Sequence, residues 1–245
     1  MSKRKLTESL NQITGNDDGS SSSKEIKISS RLTSSQYSAP CSELARFLLG
    51  KVLCRRCAEA GEVVRGRIVE VESYPGHSDG ASHSFLKRTE RNKAMFMAPG
   101  TVYVYSIYGM YHCFNISSGG EGAAVLIRAL EPLTGLHTMR LNRETKRKNG
   151  AKIKKDKDLC SGPSKLCQAF DITKDLNCVD LCNSDEIWVE DGDEIPSDQM
   201  VNSTRIGIEG AGPEWSQLKL RWYILDNIHV SVRDKFAESV LKNLS

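Results

Sequence analysis

The segment TVYVYSIYGMYHCFNIS, residues 101–117, restricts the fold more than any other part of the chain. Two runs of alternating β-branched and aromatic residues flank Tyr108-Gly109-Met110. Glycine supplies the positive φ that a tight turn needs, so the segment predicts two antiparallel strands joined at this tripeptide. Tyr103 and Tyr105 would share one face of this hairpin. Tyr108 would stand at its tip.

The rest of the chain predicts an α+β fold. We expect longer strands at 63–74 and 122–132, and shorter strands near 186–190, 204–208, 219–225 and 229–232. Helices are predicted just after Pro40, near 134–144 and from Pro163, with Ser161 or Gly162 as a cap. With 245 residues, 39% of them hydrophobic, the chain suits one sizeable core. We therefore predict a single compact domain, with a curved antiparallel sheet, surrounding helices and a protruding β-hairpin.

The first 33 residues form a different kind of segment. They are rich in Ser, Asn, Asp and Lys, and they predict a disordered tail before a domain at 34–245. No apolar run approaches the roughly 20 residues of a membrane helix, and no apolar stretch follows the basic start. Lys3-Arg4-Lys5 is a weak nuclear signal. We expect a soluble protein without membrane contact in the nucleus, with a mitochondrial fraction as the alternative.

Eight cysteines raise the question of a metal site. Cys54-x-x-Cys57 and Cys178-x-x-x-Cys182 resemble zinc-binding pairs. The two pairs lie far apart in sequence and lack the Gly and aromatic pattern of a zinc knuckle, so buried and surface thiols are the preferred interpretation. No metal and no organic cofactor are expected.

Charge is spread unevenly along the chain. Residues 140–158 hold nine Lys or Arg against three acids, whereas residues 183–198 are acidic, and the net charge is only +3. Segregation of this kind suits a polyanion bound to one face, although a Lys-rich stretch is equally consistent with a solvated loop.

One predicted strand carries two acids on one side. Alternation from 66 to 74 places Ile68, Glu70, Glu72 and Tyr74 on one face, and Val69, Val71 and Ser73 on the other. Either the acidic face is solvated, or a carboxylate is held over a pocket as a general base. The hairpin favours the second hypothesis, because Tyr108 beside Gly109 and Met110 is shaped to enter a stack of bases. An exposed tyrosine that merely stabilises the turn is the alternative.

A family resemblance runs from about residue 37 to 235. It is carried by RGRIVEVESY (65–74), His83-Ser84, RNKAMFMAPGTVYVYSIYGMYHCFNISS (91–118), VLIRALEPLTGL (125–136) and LCSGPSKLCQA (159–169). These segments resemble the animal-type alkyladenine, or 3-methyladenine, DNA glycosylases. The loop before His83 departs from the family pattern at His77 and Gly80.

The resemblance assigns a role to each matching residue. Glu72 would be the general base that activates the hydrolytic water, Arg128 would position base and water, and the main-chain carbonyl of Ile206 would also hold the water. The remaining roles are base stacking by Tyr74, His83 and Tyr105, rejection of guanine by Asn115, intercalation by Tyr108 with Met110, and DNA backbone contacts by Arg91 and Lys165.

These roles imply a monofunctional enzyme of base excision repair. It would flip alkylated or deaminated purines (3-methyladenine, 7-methylguanine, hypoxanthine or ethenoadenine) out of double-stranded DNA and leave an abasic site. A monomer is expected, with downstream abasic-site repair proteins as further partners. Two alternatives remain open. One is a non-catalytic nucleic-acid-binding module, similar to the C-terminal domain of formyltransferases, and the other is an interaction domain whose tyrosines pack a core.

Overall fold

The computed structural model describes residues 30–57, 61–147 and 151–244, and these ranges contain an eight-stranded antiparallel sheet. The predicted α+β architecture with a curved antiparallel sheet is confirmed. Its strands are β1 (Val52–Arg56), β2 (Val63–Tyr74), β3 (Val102–Ile107), β4 (Tyr111–Ser117), β5 (Ala124–Thr134), β6 (Ile187–Glu190), β7 (Met200–Ser203) and β8 (Arg221–Ile224).

Strand β2 is the centre of this sheet. The main order is β3-β4-β5-β2-β1-β6, with β7 joined to the sheet through β8. One side of β2 pairs with β5 along most of its length, while the other side pairs first with β1 and then, at residues 70–72, with β8. The second half of β2 is therefore enclosed by strands on both sides, which buries the acidic residues it carries.

A double bulge interrupts the pairing of β2 with β5. Ile68 pairs with Leu130 and Glu70 pairs with Ala129, so Val69 has no partner on β5. The next pair is Val71 with Ile127, so Arg128 of β5 likewise has no partner on β2. Ile68 consequently lies in the same apolar cluster as Val71, and its predicted place on the acidic face is wrong. The extra residue reverses the alternation, and only Glu70, Glu72 and Tyr74 keep the predicted common side.

The described part of the chain contains six α-helices around the sheet: α1 (Ser34–Tyr37), α2 (Cys41–Leu48), α3 (Leu136–Thr145), α4 (Pro163–Ala169), α5 (Pro213–Ser216) and α6 (Lys235–Leu244). Short 3-10 turns lie at Gly76–Ser78, Lys93–Phe96, Asp156–Asp158, Lys174–Leu176, Ser197–Gln199 and Glu209–Ala211. The main core lies between the sheet and the helices that carry Leu44, Leu48 and Leu166. As predicted, α4 begins with Pro163 at its first turn, after Gly162 as N-cap.

The C-terminal third differs from the prediction. Residues 204–208 form no strand, because Arg205 turns inward to an ion pair and Gly207 takes a φ of +76°. Residues 229–232 also form no strand, and the β-branched pattern there reflects only the burial of Val230 in a small second cluster. Helix α6 was not predicted. Its Ala237 and Leu241, four residues apart, pack on the same cluster.

The folded region begins before residue 34. Leu32 is buried and its backbone N–H donates to the Val189 carbonyl at 2.8 Å, so the predicted boundary lies after the first packed residues. The rest of the tail predicted as disordered, residues 1–29, lies outside the described residues. None of the helices within the described ranges has the length and apolar character required to cross a bilayer.

Candidate active site

A cavity of about 630 Å³ opens where β2, β3, β4 and β5 converge. Its volume lies in the range of pockets that hold a drug-sized ligand. Loop 206–211 after β7 and the loop after β2 complete its wall. The lining includes the predicted residues Tyr74, His83, Tyr105, Asn115, Arg128 and Ile206.

Glu72 lies directly behind this lining. Its side chain is fully buried, and three lining residues hold its carboxylate. The Ile206 N–H donates to Oε1 at 2.8 Å, Arg128 Nη1 lies 3.1 Å from Oε1, and the Tyr74 hydroxyl donates to Oε2 at 2.9 Å. A carboxylate has about four acceptor positions, so Oε2 can take one further donor beyond those among the described residues.

The electrostatics of Glu72 suit a proton acceptor. Burial raises the pKa of Glu72 above its ordinary value, and the Arg128 charge, the Ile206 N–H and the Tyr74 hydroxyl oppose this effect without cancelling it. A carboxylate with a raised pKa takes up a proton more readily. Activity that depends on its charged form should therefore fall as the pH drops through this raised pKa.

Glu70, the second acid of β2, is held by structural ion pairs and hydrogen bonds and not by residues of the cavity lining alone. It is also fully buried, and it accepts from Arg221 Nη1 at 2.9 Å, Arg128 Nε at 3.3 Å and the Ser231 N–H at 2.7 Å. Both acids are buried, so the solvated acidic face considered from the sequence is wrong. Arg128 links the two carboxylates, because its guanidinium contacts both.

Aromatic rings form two walls of the cavity. The rings of His83 and Tyr105 meet edge to face at 4.6 Å between centroids, and the rings of Tyr103 and Tyr105 lie 5.6 Å apart. His83 Nδ1 lies 2.9 Å from the Tyr103 hydroxyl. Burial, and then the charge of Arg91, lowers the pKa of His83, so its ring is neutral at neutral pH.

Asn115 lies on the cavity floor. It is buried on β4 opposite Tyr103, and its amide nitrogen donates to the Tyr103 carbonyl at 3.0 Å. Because this hydrogen bond fixes the side chain, Asn115 presents a rigid polar edge to a ligand.

The lining residues that were not among the predicted site residues include Tyr103 and Cys113. Tyr103 shares the face of Tyr105 by the strand period, which was the available signal. The same period places Cys113 beside Asn115 on β4, but a cysteine among apolar residues is ordinarily core.

The hairpin tip lies outside the cavity. Tyr108 is 87% exposed and Met110 is 59% exposed, so core packing accounts for neither side chain. The Met110 N–H donates to the Ile107 carbonyl, and both central residues of this turn, Tyr108 and Gly109, have positive φ. The predicted turn is confirmed.

A cationic groove of about 530 Å³ begins beside the tip. Its lining includes Met110, Tyr111, Lys146, Arg147 and Lys165, and Ser164 belongs to both groove and cavity. Lys165 is exposed and its Nζ lies 3.3 Å from Ser161 Oγ. Arg91 is also exposed and lies near His83 and Tyr103.

The basic stretch 140–158 divides into structural and solvent-facing parts. Arg143 is buried and donates to the Asp158 and Leu159 carbonyls, while Arg140 and Lys146 pair with Asp156 and Asp171. The described solvent-facing part consists of Arg147 and four exposed lysines, Lys152, Lys154, Lys155 and Lys157. Residues 148–150 lie outside the described ranges.

The two cysteine pairs agree only in part with their interpretation as buried and surface thiols, because the second pair is half-buried and does not lie on the surface. Cys54 and Cys57 are buried thiols, and burial raises the pKa of Cys54 to about 12. Cys178 and Cys182 are half-buried, and burial raises the pKa of Cys182 to about 11. No group of three or more His, Cys, Asp or Glu side chains among the described residues is arranged to hold a metal ion.

Comparison with known sequences identifies one family. The sequence model of the methylpurine-DNA glycosylases matches residues 35–228. The chain is 52% identical to the Homo sapiens DNA-3-methyladenine glycosylase over 82% of its own length and 68% of that protein. It is 51% identical to the Mus musculus protein of the same name, over 86% of its own length and 64% of that protein. The chain thus spans about two thirds of the length of these relatives.

Proposed function

Because the chain belongs to the methylpurine-DNA glycosylase family and is a DNA glycosylase of base excision repair, we propose that Glu72 is its general base. With this base the enzyme hydrolyses the N-glycosidic bond of damaged purines in duplex DNA. The observation that carries this proposal is the convergence of Arg128, Ile206 and Tyr74 on one buried carboxylate behind an aromatic cavity. The substrates are 3-methyladenine, 7-methylguanine, hypoxanthine and ethenoadenine.

The first step is extrusion of the damaged nucleotide. A base inside the duplex cannot reach an enclosed cavity, so it rotates out of the helix at a cost of a few kcal/mol. The exposed ring of Tyr108, supported by Met110, fills the space that the nucleotide leaves. Mispaired or alkylated bases unstack at lower cost, which gives a first level of selectivity.

The second step is recognition in the cavity. The purine stacks among Tyr74, His83 and Tyr105. The fixed edge of Asn115 crowds the exocyclic amino group of undamaged guanine. 7-Methylguanine keeps this amino group, and the attraction of the tyrosine rings for its positive charge offsets the crowding. Alkylation at N3 or N7 gives the base a positive charge, which tyrosine rings attract by about 0.5 to 2 kcal/mol each. A neutral imidazole at His83 suits this charge better than an imidazolium would.

The third step is hydrolysis. Glu72 takes a proton from a water molecule as the water attacks the anomeric carbon, and the bond to the purine nitrogen breaks with its electron pair leaving on the base. A cationic alkylated purine leaves as a neutral base. Hypoxanthine and ethenoadenine take up one proton from solvent to become the neutral free base, and Glu72 returns its proton to solvent. The carboxylate also stabilises the positive charge that develops on the sugar. Arg128 and the main chain at Ile206 hold Glu72 and the water. The products are the free base and an abasic site, without strand cleavage and without a cofactor.

The DNA backbone lies across the cationic surface beside the hairpin. Lys165 and Arg91 contact phosphates on either side of the extruded nucleotide, and the exposed lysines of 152–157 add sequence-independent affinity. This arrangement suits a monomer that searches nuclear DNA for rare lesions and releases abasic sites to downstream repair proteins.

The experiment is single-turnover excision from labelled duplexes, each with one of the four lesions, by wild type and Glu72→Gln. We expect base release by the wild type, and retained binding with excision slowed by about 10²- to 10⁴-fold in the variant. Glu121→Gln is the matched control, because its side chain is 78% exposed. Equal excision by wild type and Glu72→Gln removes Glu72 from the mechanism. Binding without excision by the wild type on all four duplexes favours the non-catalytic module.

A further inference from the structure

Arg205 precedes Ile206 and joins several parts of the active site from behind. Its side chain is fully buried and does not line the cavity. Nη1 donates to the Ser73 carbonyl at 3.2 Å, and Nη2 donates to the Trp215 carbonyl at 3.2 Å. The same two nitrogens also form a two-pronged ion pair with Asp79, in which Nη2 lies 2.9 Å from Oδ1 and Nη1 contacts Oδ2.

Asp79 connects this guanidinium to the wall that carries His83. The Asp79 carboxylate is buried and also accepts from the Ala81 N–H at 3.2 Å, while its carbonyl accepts from the Ser82 N–H at 2.9 Å. These contacts shape the turn immediately before His83. The position of the His83 ring therefore depends on where Arg205 holds Asp79.

Tyr74 is fixed by the same side chain. The guanidinium carbon lies 4.8 Å from the centroid of the Tyr74 ring, and the Ser73 carbonyl that accepts from Arg205 is one residue away. Tyr74 in turn donates to Glu72, and the residue after Arg205 supplies the second neutral donor to that carboxylate. One buried guanidinium thus determines the spacing of three site elements that are distant in sequence.

We propose that Arg205, through Asp79, is a positioning residue that fixes Tyr74, His83 and the Ile206 N–H relative to Glu72. The inference rests on the proposed function. The planar fork of arginine matches a carboxylate with two parallel hydrogen bonds, whereas a lysine ammonium carries the same charge but cannot reproduce that geometry. Arg205→Lys therefore removes the geometry and keeps the charge.

The pH profile of excision separates this role from a merely structural one. The charged and titratable groups that influence Glu72 or its ligands are Glu70 and Tyr74 on β2, Tyr105 on β3, Cys113 on β4, Arg128 on β5 and Arg205 itself. The substitution leaves the charges of all of these in place. If the Ile206 N–H moves away from Glu72, the carboxylate loses a stabilising donor and its pKa rises further. The acid limb of the profile then moves to higher pH.

The test compares Arg205→Lys with Arg55→Lys. Arg55 is a buried arginine on β1 that contacts the Glu186 carboxylate at 3.2 Å and lines neither the cavity nor the groove. Single-turnover rates on a hypoxanthine duplex are measured from pH 5 to 9, with melting temperatures of both variants. We expect Arg205→Lys to slow excision by about 10- to 100-fold with its acid limb shifted upward. Arg55→Lys should keep the wild-type profile.

An Arg205→Lys profile identical to that of Arg55→Lys overturns the inference, as does a slower rate with an unshifted acid limb. If Arg205→Lys does not fold, Asp79→Glu, which also keeps the charge and changes the geometry of the ion pair, is measured in its place, with the same two outcomes. A wild type that excises no lesion contradicts the proposed function instead, so the two failures are distinguishable.

Discussion

Glu70 and Glu72 lie two residues apart on one side of β2, and both are fully buried. Glu70 contacts two arginines and a backbone N–H, whereas Glu72 shares one of those arginines and lies behind the cavity. The pKa of Glu72 is raised, which means that its charged form destabilises the folded state at neutral pH. The free energy of unfolding therefore decreases as the pH rises from the pKa of Glu72 in the unfolded chain to its raised pKa in the folded protein.

Glu70→Gln and Glu72→Gln should therefore differ in their effect on the free energy of unfolding. Glu70→Gln leaves Arg221 and Arg128 without a full countercharge and should lower the free energy of unfolding by about 3–5 kcal/mol. Glu72→Gln removes a charge that the fold accommodates at a cost, so the free energy of unfolding should stay equal or rise. Urea unfolding at pH 7 measures both. Equal losses in the two variants would contradict the distinction between a structural and a catalytic acid.

Single residues also show what the sequence could predict. Glu72, Tyr74 and Tyr105 were identified because strand periodicity and a family motif both indicate them. Arg205 was not identified, since its partner Asp79 is 126 positions away and no local pattern links the two. No sequence pattern predicts the close contact at Gly80, where an added Cβ would lie 2.3 Å from Trp215 Nε1.

The hairpin of β3 and β4 combines an exposed aromatic tip with backbone strain. Tyr108 has a φ of +52°, a region that costs a non-glycine residue of order 1–3 kcal/mol, and its ring is almost fully exposed. Strand alternation predicted both strands and the turn. The conformation of Tyr108 could not be predicted, because Gly109 alone would satisfy the usual requirement for positive φ.

The substitution Tyr108→Asn separates turn stability from wedge function. Asparagine tolerates positive φ, so the melting temperature should stay unchanged or increase slightly. Without the ring, capture of the flipped nucleotide should weaken, which a fluorescent base opposite the tip reports. Phe236→Asn is the matched control, because it also removes an exposed aromatic side chain, and Phe236 on α6 is 78% exposed. This control should leave flipping of the nucleotide intact. Undiminished flipping by Tyr108→Asn would exclude Tyr108 as the wedge.

At the scale of the whole molecule, charge is arranged by ion pairs that the sequence only partly indicates. Four of the seven acids at 183–198 form ion pairs: Asp191 with Lys51, Asp193 with Arg67, Glu186 with Arg55 and Glu190 with Arg65. Among the described residues of the basic stretch, the arginines and Lys146 contact acidic or carbonyl groups, whereas Lys152, Lys154, Lys155 and Lys157 stay exposed. The α+β class was predictable from periodicity, whereas the double bulge and the packing of α6 depend on contacts between distant segments.

The exposed lysines should determine how steeply DNA binding depends on salt. Each phosphate contact that releases a counterion contributes about 0.9 to the slope of log K against log salt concentration. Lys154→Gln with Lys155→Gln should therefore reduce the slope by about 1 to 2, with equal weakening on damaged and undamaged duplexes. The control replaces Lys235 and Lys242 of α6, a helix that lines neither the cavity nor the groove. Fluorescence anisotropy between 50 and 200 mM salt measures both double variants. An unchanged slope for the first, or an equal reduction in the second, would show that the backbone does not run along the 152–157 segment.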